Sequence, residues 1–156
     1  MKFPDNITII SGGQTGVDRA ALDFALTNHI AAGGWCPAGR RAGDGVIPPM
    51  YPLLETPTSD YRQRTLKNIL DSDGTLIIYK HKLDTGTALT LSLCKKIRKP
   101  HLVIKLADPA DSYQLKLSKW LTDSAIFVLN VAGPRESSEP GIYDEALAFL
   151  KRELLT

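Results

Sequence analysis

The chain has 156 residues, of which 43% are hydrophobic and 23% charged, a composition typical of one globular domain. Its formal net charge of +2 is too small to indicate binding to nucleic acid or to an anionic membrane. Two widely separated cysteines favour neither a disulfide framework nor a structural zinc site. The sequence has no apolar run of about 18 residues and no signal-peptide pattern, so it predicts a cytoplasmic protein.

The first predicted strand, at residues 7–10, is rich in β-branched residues and leads into a glycine loop. A helical pattern of apolar residues follows from Val17 to Asn28. A strand, a glycine loop and a helix bring free backbone N–H groups and a helix N-terminus to one point, which favours phosphate. We therefore expect five loop residues to contact a ligand: Gly12, Gly13, Gln14, Thr15 and Gly16.

A second, weaker strand is predicted at residues 30–35, and an irregular segment rich in proline and glycine follows at 36–60. Irregular segments of this length in compact domains are usually functional or disordered. Within this segment Arg40 is expected to assist in ligand binding, because a guanidinium group can bind phosphate through two hydrogen bonds.

The remaining pattern predicts helices at 61–71, 85–97, 111–121 and 142–155, and strands at 75–79, 101–106 and 125–131. Strands and helices therefore alternate from end to end, the pattern of a parallel sheet covered on both faces. The predicted fold class is α/β: a single Rossmann-like three-layer domain over residues 1–156, with a mainly parallel sheet of about five strands.

Two further loops, at 84–87 and 130–138, follow predicted strands. Open parallel sheets bind ligands at the carboxyl ends of their strands, so these loops join the first one as candidates. From them we expect ligand contacts by Thr85, Gly86, Thr87, Gly133 and Arg135. Arg19, in the first turn of the first helix, completes the candidate set. The neighbouring Asp18 is expected first to interact favourably with the helix dipole, and it is also available to orient Arg19.

Familiar nucleotide motifs are absent. No lysine follows the first glycine loop, which disfavours a nucleotide-hydrolysing P-loop. The GxGxxG fingerprint is missing, and no acidic residue ends the second strand, so ordinary NAD binding is not expected. Since no spacing of histidines, cysteines or serines indicates a metal site or a nucleophilic triad, we assign neither metal ligands nor catalytic residues.

Several segments together resemble the putative molybdenum carrier family: 12–23, 34–41, 44–48, 61–65, 72–75, 85–87 and 130–137. They cover nearly the whole chain in the right order. The resemblance implies a Rossmann-like fold and a site for molybdenum cofactor, a phosphate-bearing pterin that brings its own metal. It also implies a homo-oligomer, with a tetramer as one form.

A more distant resemblance is to the cytokinin-activating phosphoribohydrolases, whose PGGxGTxxE signature carries a hydrolytic glutamate. Here Thr90 stands where that glutamate belongs, and a threonine cannot act as a general base of this kind. We therefore favour a carrier or binding protein for molybdenum cofactor or a similar phosphorylated, nucleotide-like ligand over an enzyme. Two alternatives stay open: a nucleoside-monophosphate N-glycoside hydrolase that uses Asp18, Asp44 or Glu136, and a nucleotide sensor that acts through a partner protein.

Overall fold

The computed structural model describes residues 5–109 and 113–155. In chain order the elements are β1 (Thr8–Ile10), α1 (Val17–Thr27), β2 (Ala31–Gly33), β3 (Trp35–Cys36), β4 (Arg41–Ala42), β5 (Gly45–Val46), β6 (Leu54–Glu55), α2 (Tyr61–Asp71), β7 (Gly74–Tyr79), α3 (Thr85–Ile97), β8 (His101–Lys105), α4 (Tyr113–Asp123), β9 (Val128–Ala132) and α5 (Ile142–Leu154). Among these helices, none is long and apolar enough to cross a membrane.

The central sheet has five strands in the order β2-β1-β9-β7-β8, and every neighbouring pair is parallel. The main core joins α1, α4 and α5 to one face of the sheet, while α2 and α3 contact each other in a separate cluster. The predicted α/β class and parallel five-stranded sheet are therefore confirmed.

The last strand of the chain lies in the middle of the sheet, between β1 and β7. If strand numbering started at β9, the order would be 3-2-1-4-5, which is the arrangement of a doubly wound fold. In such a sheet the topological switch point lies between the first and fourth strands, here β9 and β7. Ligands of doubly wound proteins bind at the carboxyl ends of the strands beside this point.

The segment 36–60 is more ordered than its composition predicts. It contributes to two small sheets, β3 paired with β6 and β4 paired with β5. The predicted strand at 30–35 is divided at Gly34, which has a φ of +130° and lies against the backbone of Ser11. Trp35 after this turn donates its N–H to Asn68 Oδ1 at 2.8 Å, so the chain leaves the central sheet toward α2.

The start of the last strand differs from its prediction by three residues. The last strand begins at Val128 rather than at residue 125, because Ala125 has a left-handed φ of +50° and the N–H of Ile126 bonds to Leu121 O. The helix predicted at 111–121 is described from Tyr113 onward, and residues 111 and 112 lie outside the described part of the chain.

Asp23 joins α1 to two other parts of the chain. Its Oδ1 accepts a hydrogen bond from Tyr51 Oη at 2.6 Å, and its Oδ2 accepts one from Tyr143 Oη at the start of α5. Burial and the hydrogen bond to Asp23 raise the pKa of Tyr51 to about 12 and also raise the pKa of Tyr143. The carboxylate therefore ties the 36–60 segment and the C-terminal helix to the same turn of α1.

We expect Asp23→Ala to lower the free energy of unfolding by about 1–3 kcal/mol, because it leaves two half-buried tyrosine hydroxyls without their acceptor. Urea denaturation followed by circular dichroism would measure the change. The control is Asp123→Ala, which removes an exposed ion pair with Lys119 that contributes little. Equal effects of the two substitutions would contradict the bridging role of Asp23.

Candidate functional site

A cleft opens at the carboxyl ends of β1, β9 and β7, beside the topological switch point, and α2 and α3 form its walls. Its empty space, counted out to the open mouth, is about 600 Å³. Of the residues predicted to contact a ligand, six line this cleft: Gly12, Gln14, Gly86, Thr87, Gly133 and Arg135. The structure thus brings together residues from all three predicted loops.

Gln14 leaves one buried hydrogen-bond donor unused. Its Oε1 accepts the backbone N–H groups of Thr15 at 3.0 Å and Gly43 at 2.7 Å, and these two donors fix the orientation of the amide. Its Nε2 is buried and has no hydrogen-bond partner within the described residues. A buried amide nitrogen without a partner is unfavourable, and an acceptor atom of a bound ligand would relieve this cost.

Asp18 lines the same cleft, with 7% of its surface exposed. Its Oδ2 accepts the N–H of Gln14 at 3.3 Å and lies 3.8 Å from Arg64 Nη1, whereas no described residue donates to its Oδ1. Burial raises the pKa of Asp18 to about 6, although the charge of Arg64 and the hydrogen bond from Gln14 act in the opposite direction. The cleft therefore contains a carboxylate whose charge is costly to maintain.

Three arginines surround the ring of Tyr61, another cleft residue. The guanidinium carbons of Arg41, Arg64 and Arg135 lie 5.4, 5.1 and 5.6 Å from the ring centroid. Arg64 also donates from Nη1 to Gly12 O at 2.8 Å, while neither Arg41 nor Arg135 forms an ion pair with a described residue. This concentration of positive charge suits a phosphate or another anion.

The N-terminus of α3 forms the opposite wall. Asp84 caps this helix, since its Oδ1 accepts the N–H of Thr87 at 2.9 Å and the Thr87 hydroxyl at 2.6 Å. The other oxygen, Oδ2, accepts the N–H of Arg135 at 3.1 Å and so joins the loop after β9 to α3. Thr90 also lines the cleft, and its hydroxyl donates to Gly86 O at 3.0 Å.

Three predicted contacts in the first loop lie behind the cleft rather than along its lining. Gly13 and Gly16 have positive φ angles of 74° and 85° and pack closely against neighbouring segments. The hydroxyl of Thr15 accepts the N–H of Glu136 at 3.3 Å. These residues shape the loop, and their direct contact with a ligand stays a prediction.

Arg19, Arg40 and Thr85 also lie outside the cleft lining. Arg19 binds both carboxylate oxygens of Asp44, at 3.0 and 3.2 Å. The guanidinium of Arg40 donates to four backbone oxygens of the 36–60 segment: those of Ile47, Pro48, Tyr51 and Leu53. Thr85 lines a neighbouring recess with Arg135 and Ser137, so its role as a contact stays a prediction too.

The sequence prediction did not include the residues that α2 contributes to the cleft. These residues, Tyr61, Arg64, Thr65 and Asn68, follow the spacing i, i+3, i+4 and i+7. This is the spacing of one helix face, so a polar stripe of this period was a signal that could have identified them.

Two of the carboxylates considered for hydrolysis have structural partners. Asp44 is held by Arg19, and Glu136 accepts the N–H groups of Gly141 at 2.6 Å and Tyr143 at 3.0 Å, at the start of α5. Asp18 is the member of that set that lines the cleft. Within residues 5–109 and 113–155, no group of three or more histidine, cysteine, aspartate or glutamate side chains is arranged to hold a metal ion.

Residues 9–154 match the model of the circularly permutated YpsA SLOG family. The chain belongs to this family. The strand order agrees with a circular permutation, because the order of a doubly wound sheet results when β9 is counted as the first strand.

The chain is also similar to a solved structure. The chain is 49% identical to a putative molybdenum carrier protein from Syntrophus aciditrophicus SB, with 94% of each chain covered and a TM-score of 0.91. The resemblance to putative molybdenum carriers and the predicted fold are thereby confirmed. A search of curated proteins found no match.

We expect Asp18→Asn to make the protein more stable at neutral pH. Since the folded-state pKa of about 6 lies above the ordinary value of 3.8, ionisation of Asp18 lowers stability as the pH rises from about 4 to above 6. The variant should exceed the wild type by on the order of 2–3 kcal/mol near pH 7.5 and lose this advantage near pH 3.5. Urea denaturation across this pH range would measure the difference, and a constant difference would contradict the raised pKa.

Proposed function

We propose that this chain is a binding protein for molybdenum cofactor or a similar phosphorylated, nucleotide-like ligand held in the cleft beside β9 and β7. The observation that carries the proposal is the unpartnered Gln14 Nε2, which is buried in a cleft whose mouth contains unpaired guanidinium charge. An amide donor and arginines together complement a ligand that has both a polar oxygen and a phosphate.

The residues of the cleft fit the phosphate-bearing part of such a ligand. Arg135, which lines the cleft, and Arg41, which lies against the same Tyr61 ring, have no carboxylate partner among the described residues, so a phosphate beside this ring would provide their counter-charge. The metal of molybdenum cofactor would arrive as cargo with its pterin, which agrees with the family resemblance and with the relative described as a putative molybdenum carrier protein. In this role the chain binds and orients the ligand and partly shields it from water.

A second candidate function is the hydrolysis of nucleoside-monophosphate N-glycosides. It is favoured by one observation: Asp18, a carboxylate with a pKa near 6, lines the cleft and has a free oxygen. In this reaction Asp18 would accept a proton from the water that attacks C1′ of the ribose, while the N-glycosidic bond breaks and the departing base takes up a proton from solvent. Release of free base from nucleoside monophosphates in proportion to protein concentration, abolished by Asp18→Asn, would favour this function over binding alone.

The homo-oligomer implied by the family resemblance remains part of the proposal. Three large apolar side chains of the 36–60 segment, Val46, Met50 and Leu54, are 72%, 64% and 61% exposed. Burial of these side chains between copies of the chain would remove apolar surface from water. Light scattering combined with size-exclusion chromatography would determine the number of subunits, with a tetramer as the expected form.

We expect native protein to co-purify with a phosphorylated ring compound, which mass spectrometry with metal analysis would identify. For ligand-free protein, guanosine 5′-monophosphate is a stable probe for calorimetry. Arg135→Gln should weaken its binding about tenfold, because a charge-assisted contact to phosphate is lost. The control is Arg98→Gln, which removes an exposed charge at the far end of α3. Equal affinities of both variants would contradict the role of Arg135.

We expect Gln14→Glu to weaken binding of the same probe at least tenfold and also to lower the denaturation midpoint, because it buries a second carboxylate near Asp18. Glutamate keeps an oxygen for the N–H groups of Thr15 and Gly43 but replaces the free donor with an acceptor. Gln63→Glu is a matched control, because the oxygen of Gln63 accepts the N–H of Thr58 outside the cleft. Wild-type affinity in Gln14→Glu would show that Nε2 does not contact the ligand.

A further inference from the structure

We propose that Asp18 is a specificity-determining residue, which selects anionic ligands that carry an N–H or O–H donor and rejects simple inorganic anions. The inference rests on the proposed function and adds a chemical requirement to it. An arginine-lined cleft alone would bind any phosphate or sulfate, whereas a carboxylate inside it makes a donor on the ligand necessary.

The hydrogen bonds of Asp18 leave one oxygen for a ligand. Oδ2 is held by the N–H of Gln14 at 3.3 Å and faces Arg64 at 3.8 Å. Oδ1 accepts no hydrogen bond from the residues that the structure describes, and the residue lines the cleft with 7% of its surface exposed. An ionised carboxylate oxygen is an acceptor only, so it requires a donor from whatever occupies the cleft.

The surrounding charges make this requirement strong. Arg64 and Arg19 favour the ionised form of Asp18, but Asp84 across the cleft adds a second negative charge. Because Asp18 itself is buried, a bare dianion beside Oδ1 would experience repulsion that solvent screens only in part. A ligand that presents a donor to Oδ1 converts this repulsion into a charge-assisted hydrogen bond.

Gln14 and Asp18 together define the class of ligand. Gln14 lies on the first loop and Asp18 in the first turn of α1, and both line one cleft, to which they contribute a free amide donor and a free carboxylate acceptor. An amino-oxo heterocycle such as guanine or a pterin carries an oxygen acceptor beside N–H donors and would satisfy both groups. Ribose hydroxyls, which both donate and accept, have the same chemistry, so experiments must distinguish the two sources.

Asp18→Asn tests the inference, because it exchanges the free acceptor for an amide donor while an oxygen remains for the N–H of Gln14. Calorimetry at pH 7.5 would compare guanosine 5′-monophosphate with inorganic sulfate. We expect the nucleotide to bind about tenfold more weakly to the variant and sulfate to bind several-fold more tightly. Asp123→Asn, which removes one exposed negative charge on α4, should change neither affinity.

The two affinities are expected to change in opposite directions. This distinguishes the proposed role from structural damage, which would weaken the binding of both ligands. If both affinities fall, or if neither changes while wild type binds the nucleotide, the selectivity of Asp18 is overturned and the proposed function stands. If wild type binds neither probe and co-purifies with no phosphorylated compound, the proposed function fails and this inference with it.

Two further probes identify the donor, and either result supports the inference. Weaker binding of 2′,3′-dideoxyguanosine 5′-monophosphate to Asp18→Asn would assign the donor to the base. Weaker binding of ribose 5-phosphate to Asp18→Asn would assign the donor to the ribose hydroxyls.

Discussion

The site depends on the position of one buried guanidinium group, that of Arg64. It donates to Gly12 O at 2.8 Å, lies 3.8 Å from Asp18 and stacks on Tyr61. This arrangement requires a glycine at position 12, because a Cβ there would lie 2.3 Å from Arg64 Nη1. The contact between the first loop and α2 therefore sets the shape of the cleft and its charge at the same time.

The permuted strand order explains why the site combines both ends of the chain. The loop after β9 meets the first loop at Gly16, where an added Cβ would lie 2.3 Å from Pro134 O, and at the hydrogen bond between Thr15 and Glu136. Asp84 adds a contact from the third loop to the N–H of Arg135. Because the last strand inserts between β1 and β7, the cleft is complete when nearly the whole chain has folded.

The charged residues near the cleft divide into two groups with different functions. Arg19 and Arg40 use their guanidinium groups to hold Asp44 and the backbone of the 36–60 segment, so they support the loops. Arg135 and Asp18 retain free hydrogen-bonding capacity that faces the cleft. The distinction matters because a side chain that already has its partners adds little to ligand binding, whereas an unsatisfied one gains a partner.

The sequence by itself determined the alternation of strands and helices, the parallel sheet and the three loops at its edge, because these depend on local periodicity and on glycine after apolar strands. Tertiary structure alone decided which loop residues face the cleft. The N–H of Gly43, far along the chain, helps to fix the Gln14 amide in the orientation in which Nε2 has no partner among the described residues, and Arg40 is occupied by carbonyls up to Leu53. Such partners come from long-range packing, which no local pattern of residues encodes.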